Sequence, residues 1–495
     1  MTSTPPPAYP HAGPLLMVDI PGPRLDADTA EHLRRHRIGA VCLFRKNIES
    51  EAQLRQLTRD LREVMGENAL IAIDQEGGCV VRTLFLPFPP AAMSLGAADD
   101  EALCEAVGAA TARGLRSLGI NWNFAPVLDL NVNPLNPVIS ERSFGADPQR
   151  ASELARAWLR GSLREGVAGC VKHFPGHGDT HQDSHLALPH VNKPLSVLEA
   201  EELVPFRACL DAPAFMTAHI VFEALDPERP ATLSPVILEG LLRRQWGYPG
   251  VIITDSMGMQ AIDGHYGRGP AAVMALQAGA DMVMALGRRS VQEETLSAVA
   301  QALEEGHIEN AEARLARLGD LARRYPSQDA GYPSEARSAD SRLMHHAWGA
   351  GLTEHLNPRY PLPGERVSLV APRNAPGEYV AETGVSGEEI AALLAQVYDL
   401  SVHLYDDPAE FSPADLEGAG FVIQATTSRR RAGPVLPWLK PDLHLALWNP
   451  FATLDVDAPA LISYGYRPEA LTAVLEVLRG ERVPAGRLPV TVSNT

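Results

Sequence analysis

The chain has 495 residues, too many for one ordinary hydrophobic core, so two domains are expected. Its composition, 45% hydrophobic and 21% charged, is that of a globular protein, and 43 basic against 61 acidic residues leave a net charge of −18. That balance argues against a nucleic-acid partner, which requires a basic face to displace counterions.

The first ten residues carry neither a basic n-region nor an apolar h-region, and no run of about 18 apolar residues follows, so no secretory signal and no membrane partner are expected. Five cysteines at irregular spacing give neither a disulfide framework nor a metal-ligand pattern. Cys42 and Cys170 lie in apolar runs and read as buried small hydrophobes. A reducing, cytoplasmic location fits best.

Short apolar runs then alternate with helical periodicity. Strands are predicted at 14–20, 39–44, 69–74, 120–126, 168–173, 214–219, 250–255 and 280–285. Helices are predicted between them, at 51–65, 100–118, 148–165, 197–210 and 270–278. Eight βα repeats in about 300 residues predict a closed (β/α)₈ barrel, because alternation of this kind implies parallel strands joined by crossover helices. The competing doubly wound sheet lacks its Gly-x-Gly-x-x-Gly phosphate loop at the first βα turn. A Pro-, Gly- and Ser-rich stretch from Arg324 reads as a linker. Beyond it, strands at 367–371, 402–405, 421–425, 443–448 and 461–464, with helices at 387–397 and 468–478, predict a smaller α/β sandwich. The expected division is a barrel over 1–325, a linker over 326–345 and a sandwich over 346–495. The basic run Arg429-Arg430-Arg431 reads as a solvated loop.

In a parallel barrel the C-terminal strand ends converge on the active site. Here those ends carry Asp74-Gln75-Glu76, Asp129 with the following Glu141-Arg142, Lys172-His173, His219 and Asp255. Each could instead cap the next helix; together they form a convergent polar site. After the fifth strand, His173, His177, His181 and His185 recur every four residues. On a helix they would align as metal ligands, but Pro175, Gly176 and Gly178 forbid the helix, so no metal is expected. Asp183 and His185, two apart in an extended stretch, point the same way; the carboxylate could orient the imidazole for proton transfer or merely tie the loop. Asp255 reads as a nucleophile or, by propensity, as an N-cap.

The run Lys172-His-Phe-Pro-Gly-His-Gly-Asp-Thr180 followed by Asp183-Ser-His185 resembles the signature loop of the bacterial β-N-acetylglucosaminidases of glycoside hydrolase family three. Asp74-Gln-Glu-Gly-Gly78, Asn123-Phe-Ala-Pro-Val-Leu-Asp129, Glu141-Arg-Ser-Phe144, Met216-Thr-Ala-His219 and Ile253-Thr-Asp-Ser-Met257 match in family order. The run Val483-Pro-Ala-Gly-Arg-Leu-Pro-Val490 resembles the end of the family's second domain.

The resemblance implies a retaining exo-β-N-acetylglucosaminidase that needs no cofactor. In it Asp255 is the nucleophile, and His185 oriented by Asp183 is the acid/base. Asp74, Arg82, Arg142, Lys172 and His173 bind the sugar, and the substrate is a carbohydrate bearing N-acetylglucosamine, such as a peptidoglycan fragment. A His in place of a second carboxylate also leaves room for phosphate as acceptor. A β-glucosidase of the same family and a silent sugar-binding scaffold are the competing readings. One departure stands out: Cys79 follows the paired glycines where family members often carry Arg, and Arg82 lies three residues on.

Overall fold

The computed structural model describes residues 8–180, 188–362, 364–374, 384–431 and 433–492. Eight parallel strands close a barrel: β1 (Leu16–Asp19), β2 (Ala40–Leu43), β3 (Leu70–Ile73), β4 (Trp122–Asn123), β5 (Ala168–Phe174), β6 (Ala214–Thr217), β7 (Val251–Ser256) and β8 (Met282–Met284). They pair in chain order, and β8 returns to β1 with Leu16 opposite Val283. Each falls at a predicted strand. They were legible because strands covered on both faces read as unbroken apolar runs rather than alternating ones. β4 is only two residues long. Side-chain amides take over its ends: Asn121 Oδ1 accepts from the Ile71 amide at 2.8 Å and Asn123 Oδ1 from the Gln75 amide at 2.9 Å.

Helices between the strands start where short polar side chains can accept from the first exposed amides. Ser50 caps Glu51–Met65, Asp100 caps Glu101–Ser117 and Asp147 caps Pro148–Arg164. Leu54, Leu57 and Leu61 of the first of these form its buried stripe at helical spacing. The helix predicted over 197–210 is broken into Leu195–Ala200 and Leu203–Ala208. At the break Glu202 is turned inward to pair with Lys193 at 2.5 Å.

The second unit is a six-stranded sheet. Its strands are β9 (Thr353–His355), β10 (Arg366–Pro372), β11 (Asp399–Tyr405), β12 (Phe421–Thr426), β13 (Leu443–Ala446) and β14 (Ala460–Ile462), in the order β9-β14-β13-β12-β10-β11. Only β9 is antiparallel to its neighbour. Three residues long, it lies below what periodicity can reveal. Among the described residues no helix is long and apolar enough to cross a membrane. All five cysteines are buried free thiols.

The stretch read as a linker is largely helical. Ser334–Gly351 forms a helix that packs on Ala92–Ala98 and Glu101–Ser117 of the barrel and on Pro468–Leu478 of the sandwich. Its Asp340, Met344, Ala347, Trp348 and Gly351 are buried at helical spacing, a pattern masked by the Pro- and Gly-rich approach. Asp340 accepts from Arg113 Nε at 3.0 Å, and Trp348 donates its indole N–H to the Phe88 carbonyl at 3.1 Å. The helix therefore ties the two units together. Trp348→Ala, which empties a fully buried site in that joint, is expected to cost about 3–5 kcal/mol, read by urea unfolding followed by circular dichroism.

Candidate active site

The C-terminal ends of the barrel strands surround a cavity of about 790 Å³. Of the residues singled out in the sequence, Asp74, Arg82, Arg142, Lys172, His173 and Asp255 all line it. Asp183 and His185 lie outside the described residues.

One side of the cavity is a buried charge network. Lys172, at the end of β5, places its ammonium 2.7 Å from Asp74 Oδ1 and 2.6 Å from Glu76 Oε1. Glu76 is in turn gripped by Arg142 through two parallel bonds of 2.8 Å. Arg82 stands 3.8 Å from Asp74 Oδ2. Burial alone would neutralise these groups, but the opposite charges outweigh it: Glu76 stays well below the usual carboxylate range and Lys172 is held above its ordinary value.

The chain leaves Glu76 through a turn that only glycine allows. Gly77 and Gly78 have φ of 113° and 59°, and a Cβ on Gly77 would lie 2.2 Å from the Pro90 carbonyl oxygen. Gln75 then anchors Arg82: its side-chain oxygen accepts from the Arg82 amide at 3.0 Å.

Asp129 is the hub of the other side. Fully buried, it accepts from the His177 and His173 amides at 2.7 and 3.1 Å, and meets His173 Nδ1 at 2.7 Å. Burial opposes its charge, but His173 and these bonds hold its carboxyl below the ordinary value. His173 so oriented points Nε2 at Asp255, 4.0 Å from Oδ2.

Asp255 Oδ1 accepts from the Ser256 amide at 2.7 Å. The N-cap reading of Asp255 does not hold, because the next helix, Gln260–Tyr266, begins later with Met259 at its cap. His219 bridges to the same strand end, with Nε2 2.9 Å from the Ser256 carbonyl and Nδ1 2.8 Å from the Thr232 hydroxyl.

The leading end of the loop after β5 is pinned. His177 and Thr180 are held by the Asn136 side chain at 2.9 and 3.2 Å, and Asp179 is paired with Lys193 at 3.1 Å.

Three contributors were not assigned roles from sequence: Glu76, Gln75 and Asp129. Their signal was present, since all sit at the C-terminal ends of predicted strands, but only pairing partners distinguish such residues from caps. A fourth was misread. Arg429, expected in a solvated loop, is fully buried. It lies over the Trp448 ring at 5.2 Å and reaches from the sandwich to Glu141 of the barrel at 3.4 Å. A charge run signals solvent only when no carboxylate waits across an interface. Glu141 immediately precedes Arg142, so the sandwich braces the cavity wall. Cys79 sits beside this joint, and its carbonyl lies 3.5 Å from Arg467 Nη2 of the sandwich. Arg429 and Arg467 of the second unit thus approach the barrel at Cys79.

The Glycosyl hydrolase family 3 N-terminal domain matches residues 11–318, the whole barrel. The chain belongs to glycosyl hydrolase family 3. A β-hexosaminidase of Alkalilimnicola ehrlichii is 39% identical over 281 residues, covering 55% of this chain and 80% of that protein. β-Hexosaminidase A of Pseudoalteromonas piscicida is 34% identical over 342 residues, covering 62% of this chain but only 56% of the relative's length. The structure of a family 3 β-N-acetylglucosaminidase from Paenibacillus sp. str. FPU-7 superposes with a TM-score of 0.88 at 32% identity, over 98% of this chain and 99% of that one. The last match spans both units, so this family 3 member shares the two-domain architecture and is a glycoside hydrolase.

Two outcomes follow from the buried groups. Arg429→Ala strands the buried Glu141 carboxylate and is expected to cost about 3–5 kcal/mol in unfolding experiments. Adding Glu141→Gln should recover a large part of that loss; no recovery would show that the pair is not the cause.

Burial, reinforced by His173, pushes His177 down to about 4, and burial pushes His444 of the sandwich down to about 3. Unfolded, each binds its proton near pH 6.5. The unfolded chain therefore holds more protons between pH 6.5 and about 4, and stability falls as pH drops through that window. His444→Leu, far from the cavity, should reduce this slope by about 1 kcal/mol per pH unit in denaturation midpoints measured across the window.

Proposed function

We propose that the protein is a retaining exo-β-N-acetylglucosaminidase in which Asp255 is the nucleophile and His185, oriented by Asp183, is the acid/base. The observation that carries the nucleophile is the ranking of the cavity carboxylates. Asp255 is the most exposed of them, at 22% of its side chain, against 18% for Asp74, 8% for Asp19 and 6% for Glu76. Asp74, Glu76 and Asp19 each hold a Lys or Arg cation within hydrogen-bond reach, and Asp255 stands at the end of a barrel strand, bordering the space where a sugar would sit. The 32% identical family 3 β-N-acetylglucosaminidase, alike over both units, supports the choice of sugar.

In the first step an Asp255 oxygen forms a bond to the anomeric carbon as the glycosidic C–O bond breaks. His185 gives its proton to the departing oxygen. In the second step His185 takes a proton from water, whose oxygen displaces the Asp255 ester, so two inversions return the β-anomer. Asp74 accepts from sugar hydroxyls, while Arg82, Arg142, Lys172 and His173 orient the ring. Because Lys172 is already neutralised by two carboxylates, it positions the sugar without competing for the charge of Asp255. Terminal N-acetylglucosamine on peptidoglycan fragments, met in the cytoplasm, is the proposed natural substrate, and the proposed reaction uses only side chains and water.

An aryl β-N-acetylglucosaminide is expected to be hydrolysed with kcat/KM roughly 10²-fold or more above the matching aryl β-glucoside in phosphate-free buffer. The reverse preference would overturn the sugar assignment. Asp255→Ala should lower kcat by about 10³-fold or more with the far-ultraviolet spectrum unchanged.

A further inference from the structure

The sandwich carries a second cavity, of about 210 Å³, none of whose lining residues borders the barrel cavity. Its position follows from topology. From β10 the chain passes to β11 on one side and then to β12 on the other, so the strand order reverses between β10 and β12. In open parallel sheets that reversal opens a crevice at the C-terminal strand ends, and ligands bind there. Pro372 and Thr426, the last residues of β10 and β12, line the cavity, as does Tyr405 at the end of β11.

Its wall is polar in a way the fold does not explain. Gln424 and Thr427 are both about 97% buried and both line the cavity, and neither side chain hydrogen-bonds to any described residue. Each exposes only 3% of its surface. The small exposed part of each faces the cavity, so their polar ends are presented to whatever enters it.

The charge of the wall selects the class of ligand. Its ionic side chains are Arg430 and Asp455, one of each sign, and Asp455 is already paired with Arg431 at 3.1 Å. The remaining polar groups are amides and hydroxyls, which both donate and accept, as sugar hydroxyls do. Tyr405, Val435 and Val456 supply an apolar side for the C–H face of a ring.

We propose that this cavity is a second, non-catalytic binding site for an uncharged polyhydroxylated ligand of monosaccharide size, held by Gln424 and Thr427. Its wall includes Ser428 and Arg430, which flank Arg429, the residue that reaches Glu141 on the barrel.

Equilibrium dialysis of the full-length protein with radiolabelled N-acetylglucosamine, and separately with glucose, tests this by stoichiometry. At least one of the two sugars should bind with one equivalent more to the unaltered protein than to the Gln424→Leu/Thr427→Val variant. Ala452→Phe, which fills the cavity while leaving those two residues unchanged, should remove the same equivalent. Circular dichroism of each variant verifies that it is folded. Equal stoichiometry in all three proteins, for both sugars, would overturn the proposal, whether the cavity takes neither sugar or the binding lies elsewhere. Because the comparison counts a bound equivalent rather than turnover, it stands or falls independently of the proposed hydrolysis.

Discussion

Lys172 is the ion on which the barrel end depends. Its ammonium joins Asp74 and Glu76 from the end of one strand, and Glu76 passes the connection to Arg142 in the following loop. Removing such charges from water costs several kcal/mol per ion unless each finds a partner. Here every member has one, so the network fixes the separation of three chain segments and cannot relax by losing a single ion. The same pairing neutralises Asp74 and Glu76, and the proposed nucleophile, Asp255, borders the same cavity.

The network is not confined to the barrel. Arg142 follows Glu141, and Glu141 is held by Arg429 from the sandwich. The helix Ser334–Gly351 packs against both units, and the Ala146 amide donates to the Pro489 carbonyl at 2.9 Å. The second unit is therefore part of the wall that positions Arg142 at the cavity. At the same joint Arg429 and Arg467 of the sandwich bring positive charge close to Cys79 of the barrel.

How much could be read beforehand follows from what each feature depends on. The eight barrel strands were legible because burial on both faces leaves continuous apolar runs, and Asp74, Lys172 and His173 were legible because strand ends in such a barrel point into one space. Arg429 was not, because its burial depends on a carboxylate 288 positions away in the chain. The helix Ser334–Gly351 was hidden by the Pro- and Gly-rich stretch before it, although its buried residues keep helical spacing. Asp255 illustrates the limit of propensity: a carboxylate after an apolar strand resembles a cap until the helix proves to start at Gln260. Asp129 needed the fold to show that it joins the end of β5 to the loop after it, through the His173 and His177 amides.

The stereochemistry of the first product tests the proposed double displacement most directly. Proton NMR of an aryl β-N-acetylglucosaminide mixed with the enzyme, recorded before mutarotation, should show β-N-acetylglucosamine appearing first and the α-anomer only later. Appearance of the α-anomer first would mean single displacement by water, and Asp255 would not form a covalent glycosyl-enzyme.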